Sequence, residues 1–436
     1  MKNLLCTDEI IGRIRAFFSR TPDTRSGLFE IPLVDFLMSG VAIFGLKIPS
    51  LLQFDQGRDD ATIKENLKNL YGIKKAPSDT HLRTVLDEID PLKHLGGSFR
   101  EVMLFAENKG LLEQYKYFGK YFLCSLDGTG HFYSKKIHCE HCCQSRARNG
   151  DITYHHQALG AVMVHPAQKA VLPLSTEAII KQDGSKKNDC ELNSAKRLIP
   201  RLKALYPSMK LLFVEDALFS NGPHIKLITS HGYSYITAVK SNNKYLFDQV
   251  ELREQKGLVH HFEVLDKDGT IHRFRYTNGL SLNKTHSDII VNFVEYWEIK
   301  DKKTRHFTWI TDIHVNDDNV FMIMKGGRSR WKIENETFNT LKNQGYHFEH
   351  NYGHGKKHLI SVFLILMMLA FLIDQVQELA NTSFRLGIQK CGSRRKFWEK
   401  LKALSQYFIV KNWETLFSSI IGLVPQEPTL IRPQGP

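Results

Sequence analysis

The stretch YFLCSLDGTGHF, residues 121–132, places a run of apolar side chains directly before an acidic residue. Residues 121–126 have the composition of a short buried strand, and Asp127 follows them. A carboxylate beside a buried strand is costly unless it binds a partner or faces a cleft. We therefore expect a sheet whose first strand ends at an acid with a function.

A second stretch, LLFVEDALFS at residues 211–220, repeats this arrangement with Glu215 and Asp216 after an apolar run. Successive side chains of a strand point to opposite faces, so only one of the two acids can face a site. Either Asp127 or Asp216 alone would pass for a turn residue or a helix cap. Their shared position at strand ends favours a pair that acts together.

A third acid is predicted on a helix, in the segment RSRWKIENETFNTLK at residues 328–342. Rotation by about 100° per residue from Trp331 places Glu334 inside the apolar stripe and Glu336 on the far side. A buried ionised glutamate needs a cation or a metal ion beside it. Glu334 is therefore the expected third acid and Glu336 a weaker alternative. A purely structural Arg330–Glu334 pair, four residues apart, would also explain the pattern.

Three carboxylates from two strands and a helix suit two Mg²⁺ or Mn²⁺ ions, because hard cations prefer oxygen ligands. Two ions about 4 Å apart can activate a nucleophile and stabilise the leaving oxygen of a phosphodiester. The chain has 59 Lys and Arg against 46 Asp and Glu, a net charge of +13. Such a surplus indicates a polyanionic partner, either nucleic acid or an acidic membrane face.

A membrane role is not expected, although one segment is strongly apolar. Residues 359–373, LISVFLILMMLAFLI, carry no charge, but about twenty residues are needed to span a bilayer. We predict a buried core helix there. The first residues contain acids where a signal peptide would be apolar, and the seven cysteines lack the spacing of a secreted disulfide framework. Both features favour a reducing cytosol.

The 436 residues divide into segments with different periodicities. Asp268-Gly269 and Asn278-Gly279 mark two expected hairpin turns in a β-rich segment. The predicted division is a helical region at 1–115, the first part of a mixed-sheet core at 116–245, the β-rich segment at 246–325, the completing part of the core with the Glu334 helix at 326–390, and a C-terminal helical segment with a flexible tail at 391–436.

Two short helices in the first region are expected to contact DNA or to form part of a bundle. The apolar face of the first ends at Gly72, and Ser78 is placed to cap the second. The pair resembles a helix-turn-helix, although by itself it is more typical of a simple helical hairpin in a bundle. Arg83, on the second helix, favours DNA contact.

Taken together, these residues resemble bacterial insertion-sequence transposases of the DDE type, over roughly residues 75–375. In one group of them the last acid lies in a motif of Tyr, two residues, Arg, three residues, Glu, six residues, Lys. Arg330 and Glu334 fit this motif, and Asp127 and Asp216 follow the first and fourth strands as the first two acids do. The chain departs from it in having Gly327 at the Tyr position and Lys342 one residue late.

The resemblance implies an RNase H-like mixed sheet with flanking helices, interrupted by a β-rich insertion, after an all-helical N-terminal domain that binds terminal repeats. It also implies cleavage at the ends of a mobile element and strand transfer into target DNA, by a homodimer or higher multimer in the bacterial cytoplasm, associated with the nucleoid. Asp127, Asp216 and Glu334 would hold two Mg²⁺ or Mn²⁺ ions. The alternatives are a DNA-binding regulator derived from a transposase and a metal-dependent nuclease without strand transfer.

Further side chains are expected at the DNA. Arg330 and Lys342 would steady the DNA end, with Trp331 beside them. The stretch GYHFEHNYGHGKKH, residues 345–358, mixes aromatic, His and Lys residues, a composition suited to phosphate contact and base stacking. Lys356 and Lys357 are its expected DNA contacts, and a solvated connecting loop is the alternative.

A cysteine pair suggests a separate metal site. Cys139 and Cys142 form the C-x₂-C half of a structural zinc site. His155, His156 or Asp151 would have to complete it. A loop of reduced thiols is the alternative.

Overall fold

The computed structural model describes residues 7–27, 29–181, 188–301, 303–423 and 430–431. The tail predicted to be flexible, residues 425–436, lies outside this part of the chain apart from residues 430–431. The architecture is mixed α/β, with one large mixed sheet and helices packed around it.

Helices precede, interrupt and follow the sheet. Their bounds are α1 Thr7–Phe18, α2 Leu33–Gly45, α3 Leu51–Gly57, α4 Ala61–Tyr71, α5 Asp79–Asp87, α6 Pro91–Leu95, α7 Ser98–Asn108, α8 Glu191–Leu205, α9 Gly222–Ser230, α10 Lys244–Gln255, α11 Val320–Arg328, α12 Asn339–Asn343, α13 Leu359–Ala380, α14 Thr382–Cys391, α15 Arg394–Tyr407 and α16 Trp413–Ile421. Short 3₁₀ turns cover Leu111–Tyr115, Ala217–Phe219 and Ser329–Trp331, and a π-helix covers Ile333–Phe338.

The strands of the sheet are β1 Lys116–Tyr117, β2 Tyr121–Ser134, β3 Cys143–Arg146, β4 Ile152–Val164, β5 Leu172–Ile179, β6 Leu211–Glu215, β7 Ser234–Ala238, β8 His260–Leu265, β9 Ile271–Ser281, β10 Ile290–Lys300 and β11 Lys303–Thr311. They lie in the order β3-β4-β2-β6-β7-β11-β10-β9-β8, with β1 on β2 and β5 on β4. A separate ribbon joins β12 Ile409–Val410 to β13 Leu430–Ile431.

The centre of the sheet combines two pairing modes. Strands β2, β6 and β7 are parallel, whereas β4, β5 and β11 join antiparallel to their neighbours. Helix α8 connects β5 to β6, and helix α9 connects β6 to β7. All five residues of β6 are buried, as expected for a parallel strand covered on both faces.

The predicted core helix is confirmed as α13, which is longer than its apolar run. Its sequence is long and apolar enough to cross a membrane, but its most apolar window is entirely buried inside the protein. Helix α2 lies along α13, and β5 and helices α5 to α7 pack around it. The helix extends beyond the apolar run to Ala380, and Asp374, just after that run, is also buried.

Short-range sequence patterns correctly predicted two helix ends and one hairpin turn. Gly72 ends α4 with φ 69°, and the Ser78 hydroxyl accepts a hydrogen bond from the His81 amide at the start of α5. Gly269 has φ 80° in the turn between β8 and β9, as predicted.

Two expectations about strands were wrong. The first is the end of the first strand: β2 does not stop before Asp127 but runs on to Ser134, because β4 continues to pair with it after β6 has ended. The second is Asn278-Gly279, which lies within β9 rather than in a hairpin turn. The β9–β10 register shifts opposite it, so the pair forms a bulge.

Candidate active site

Two of the predicted acids lie at neighbouring parallel strands, Asp127 within β2 and Asp216 directly after the end of β6. Ser125 of β2 pairs with Val214 of β6, and each acid lies two residues further along the chain. Adjacent strands are about 4.8 Å apart, so this register brings Asp127 and Asp216 to the same edge of the sheet. The Asp127 side chain is 19% exposed.

Glu215 and Asp216 separate as strand alternation predicts. The carboxylate of Glu215 is buried, 2.7 Å from His224 Nε2, and it accepts a 3.0 Å hydrogen bond from the Thr237 hydroxyl. The Asp216 carboxylate instead accepts from the Leu218 amide, at 2.9 Å. Asp216 is therefore the acid of this pair that remains accessible.

The segment with the third acid does not form the regular helix assumed in the rotation. A 3₁₀ turn at Ser329–Trp331 runs into the π-helix at Ile333–Phe338, which changes the angle between successive side chains. The Glu334 side chain is 48% exposed and Trp331 is 43% exposed. The prediction that Glu334 lies inside an apolar stripe is therefore wrong.

Contacts with the sheet fix this segment. The Ser125 hydroxyl, on β2, donates to the backbone carbonyl of Arg330 at 3.2 Å. Ile333 and Phe338 pack onto Gly160 of β4, the residue paired with Asp127. A Cβ atom at Gly160 would lie 3.3 Å from the Phe338 ring, so glycine allows this close approach.

Arg330 brings the first and third acids together. Its Nη1 lies 2.7 Å from Glu334 Oε1 and 3.7 Å from Asp127 Oδ2. The Arg330–Glu334 pair considered as a structural alternative does form, but the same guanidinium also reaches the sheet. Two carboxylates thus lie around one cation.

Burial and neighbouring negative charge both act on the ionisation of Asp127. Burial, followed by the charge of Glu334, raises the pKa of Asp127 to about 7, although Arg330 acts in the opposite direction. Glu191 adds a further negative charge beside it. Burial, and then the charge of Asp216, likewise raises the pKa of Glu191. Carboxylates in this state would ionise more readily with a divalent cation among them.

Glu191 was not identified from the sequence. It is the first residue of α8, and its carboxylate lies against Gly128, next to Asp127. An acid in the first turn of a helix is ordinarily explained by the helix dipole, so the sequence carries no distinctive signal for it.

An open groove of about 670 Å³ runs beside Asp216 and Arg330. Basic and aromatic side chains dominate its lining, and these are Lys240, Arg305, Arg328, Phe307, Trp309 and Trp331. Such a surface suits a phosphodiester backbone and exposed bases.

The other residues expected at DNA lie elsewhere. The Lys342 ammonium pairs with Glu349 at 3.1 Å. Arg83 pairs with Asp79 on α5, and Lys357 pairs with Glu88 at 2.6 Å. The structure brings Arg83, Lys356 and Lys357 to one surface, because the 353–358 segment lies against α5.

The backbone of that segment is held by one carboxylate. The amides of Lys356, Lys357, His358 and Leu359 all donate to Asp87, at 2.8–3.0 Å. These bonds lower the pKa of Asp87, although its burial acts in the opposite direction.

A steric reason explains why the chain has glycine at position 327, where the motif has Tyr. A Cβ atom at Gly327 would lie 2.5 Å from Trp309 Nε1. The indole of Trp309 therefore occupies the space that a side chain at this position would need.

Cys139 and Cys142 lie in a separate cluster with His156 and His354, whose ligand atoms are all within 4.8 Å of one another. Of the three completing residues considered, only His156 is present. Asp151 pairs with Lys135 at 3.0 Å. His155 stacks on Tyr133, with 6.1 Å between ring centroids. His354 was missed because it lies 212 residues beyond Cys142.

Comparisons with known proteins give little detail. No protein-family model matches the chain, and no curated protein matches it. Among solved structures, a piggyBac transposase synaptic complex with hairpin DNA aligns over 98% of this chain and 81% of its own, at 13% identity and a TM-score of 0.39. This similarity is too low to assign a family. A function for the chain therefore has to be argued from the residues of the candidate site.

Proposed function

We propose that this chain is a DDE-type transposase of a bacterial insertion sequence, which cleaves the ends of its element and joins them to target DNA. The observation that carries the proposal is the meeting of three elements: Asp127 and Asp216 follow paired residues of neighbouring parallel strands, and Glu334 faces Asp127 across Arg330. This is the arrangement expected for three acids that share metal ions.

The sheet supports an RNase H-like catalytic core. Reading across β5-β4-β2-β6-β7, antiparallel strands give way to parallel ones at β2, the strand that carries the first acid. The four strands β8 to β11 then extend the same sheet and lie in sequence between Asp216 and Glu334. This is the position expected for a β-rich insertion between the second and third acids.

The residues present fit hard divalent cations. Asp127, Asp216 and Glu334 offer carboxylate oxygens, the ligands that Mg²⁺ and Mn²⁺ prefer. Burial, and then the negative charge of Glu334, raises the pKa of Asp127, and a bound cation would offset both effects. When bound, two such ions would neutralise charge at the phosphorus and at the leaving oxygen.

The chain's own side chains would place the DNA. A phosphate in the groove would meet the guanidinium of Arg330, with Lys240 and Arg328 beside it. Trp331, being exposed at the groove, would offer a ring for a base to stack on. Lys342 and the surface of Arg83, Lys356 and Lys357 would contact DNA outside the groove.

In this proposal water cleaves the phosphodiester at each end of the element and leaves a free 3′-OH. That hydroxyl then attacks a phosphorus of the target DNA, forming one P–O bond as the target's own 3′ oxygen leaves. We place the reaction in a homodimer or higher multimer on paired ends, in the bacterial cytoplasm at the nucleoid, with the N-terminal helices on the terminal repeats.

The test is a strand-transfer assay. Labelled duplexes copied from the DNA ends that flank the gene are incubated with a supercoiled plasmid and Mg²⁺ or Mn²⁺. Joined products are expected with the wild-type chain, and none with Asp127→Asn, Asp216→Asn or Glu334→Gln. Glu336→Gln is the matched control, since it removes a nearby acid of the same segment and should leave joining intact.

Two other outcomes would replace the proposal. Cleavage without joining, dependent on the same three acids, would identify a metal-dependent nuclease. DNA binding without cleavage of any substrate would identify a regulator. Joining that survives all three acid substitutions would show that the active site lies elsewhere.

A further inference from the structure

We propose that Cys139, Cys142, His156 and His354 bind one structural Zn²⁺ ion, separate from the proposed catalytic site and independent of whether the chain is a transposase. The four ligand atoms lie within 4.8 Å of one another, and three of the four residues are buried. Two sulfurs and two imidazole nitrogens are ligands that suit zinc far better than magnesium.

Four of the ligand-atom separations are close to those around a tetrahedral ion. With Zn–S near 2.3 Å and Zn–N near 2.0 Å, tetrahedral geometry separates ligand atoms by about 3.3–3.8 Å. The two sulfurs are 3.9 Å apart, and Cys139 Sγ is 3.8 Å from His156 Nε2. Cys142 Sγ lies 3.2 Å from Nε2 of His156 and 3.2 Å from Nε2 of His354. These four separations, 3.2–3.9 Å, are short enough for one ion to contact all four residues.

The surrounding hydrogen bonds orient the ligands for a metal. His354 Nδ1 lies 2.8 Å from the Gly355 carbonyl, so Nδ1 carries the proton and Nε2 keeps its lone pair for an ion. The Cys139 amide donates to Cys142 Sγ at 3.4 Å, as an amide does to a thiolate ligand. The Cys142 amide in turn donates to the Cys139 carbonyl at 3.3 Å, which closes the C-x₂-C turn.

The ligands come from three parts of the fold. Cys139 and Cys142 lie in the loop between β2 and β3, and His156 lies on β4. His354 lies in the connection between the Glu334 segment and α13, and its ring packs on Phe132 of β2 with 4.6 Å between centroids. An ion here would fasten that connection to the strands that carry and support Asp127.

Metal analysis of the purified full-length chain provides the test. Inductively coupled plasma mass spectrometry is expected to find about one zinc ion per chain in the wild-type protein. After removal of zinc with a chelator, Co²⁺ should restore a tetrahedral visible spectrum with thiolate-to-metal charge transfer. Cys142→Ser and His354→Ala should each weaken Co²⁺ binding at least about tenfold.

Two control residues of the same types as the ligands lie outside the cluster. His155→Ala removes the imidazole next to His156, and Cys190→Ser removes an exposed thiol. Both variants should keep the ion and the cobalt spectrum. If a ligand variant fails to fold, the cobalt titration of the wild-type chain still decides, because it needs no substitution.

Three results would overturn the proposal. These are a metal-free chain whose cobalt titration shows no tetrahedral spectrum, a Cys139–Cys142 disulfide in protein purified without added oxidant, and equal metal content in the wild-type chain and both ligand variants.

Discussion

Nη1 of Arg330 lies 3.7 Å from Oδ2 of Asp127, although the two residues belong to different elements more than two hundred positions apart. The same nitrogen is 2.7 Å from the Glu334 carboxylate. Arg330 thus occupies the place between two acids where a cation is needed. This contact holds the Glu334 segment against the strand that carries Asp127.

Removing an acid should abolish joining without unfolding the chain. We expect Asp127→Asn, Asp216→Asn and Glu334→Gln each to lower the joining rate by a factor of about 10³ or more, because each removes charge that holds a cation worth several kcal/mol at the phosphorus. Rates come from the strand-transfer assay, and circular dichroism monitors folding. A Glu336→Gln variant as inactive as Glu334→Gln would contradict the assignment.

The raised pKa of Asp127 predicts a pH-dependent stability. Between the ordinary value of 3.8 and the folded value of about 7, the unfolded chain has lost the proton that the folded chain retains. Stability contributed by this group therefore falls as pH rises through that window. In the absence of divalent ions, Asp127→Asn should gain about 2–3 kcal/mol relative to wild type between pH 5 and pH 8.

Chemical denaturation of both proteins at the two pH values measures this difference. Adding Mg²⁺ should reduce the loss of unfolding free energy that the wild-type chain shows at pH 8, since a cation favours the ionised carboxylates. A constant difference between wild type and Asp127→Asn at both pH values would refute the assigned cause.

Gly327 should tolerate no side chain while Trp309 is present. Gly327→Ala is expected to cost about 1–3 kcal/mol of unfolding free energy, because its Cβ would meet the indole. Replacing the indole with a smaller ring in Gly327→Ala/Trp309→Phe should recover part of that loss. The double-mutant cycle is measured by denaturation, and simple additivity of the two substitutions would argue against the contact.

A buried ion pair fastens α13 to the N-terminal helices. Lys47 Nζ is 2.6 Å from Asp374 Oδ2, and the Tyr346 hydroxyl donates to the same oxygen at 2.5 Å. Asp374→Ala leaves a buried ammonium unpaired and should cost about 3–5 kcal/mol. The double variant Lys47→Met/Asp374→Leu should be markedly more stable than Asp374→Ala, because it leaves no unpaired charge.

The exposed pair of Arg395 and Glu399 provides the comparison for that experiment. Glu399→Ala should change the unfolding free energy by no more than about 0.5 kcal/mol. If both alanine variants had equal effects, the buried pair would have no special role in stability.

Binding of DNA along the groove should depend on salt through Lys240. We expect Lys240→Ala to reduce the slope of log binding constant against log salt concentration by about 1, because one phosphate contact is lost. Lys116, which pairs with Glu113 at 2.7 Å and does not line the groove, is the control. Fluorescence anisotropy gives the slopes, and an unchanged slope for Lys240→Ala would place the DNA elsewhere.

Much of the local structure could be predicted from the sequence. The apolar runs before Asp127 and Asp216 became β2 and β6, the run at 359–373 became part of α13, and Gly72 and Ser78 mark the expected helix ends. These features depend on neighbouring residues only: the alternation of a strand, the hydroxyl of a cap, and the left-handed backbone that glycine adopts.

Predictions that required a partner far along the chain were less successful. Asn278-Gly279 has the composition of a turn, but β10 pairs on both sides of it and keeps it inside a strand. The prediction for Glu334 assumed a regular α-helix. It failed because the segment, in contact with β2 and β4, has 3₁₀ and π geometry. Glu191 joined the acids only through the packing of α8.

The sequence by itself determined which residue types are available: two acids after apolar strands, an Arg and a Glu four residues apart, a C-x₂-C pair and a strongly apolar helix. Tertiary structure alone decided which of them meet. It placed Arg330 against Asp127, Lys47 against Asp374 and His354 against Cys142. Periodicity reports only the face on which a side chain lies, whereas these contacts arise when distant segments pack and their polar groups must be paired within the interior.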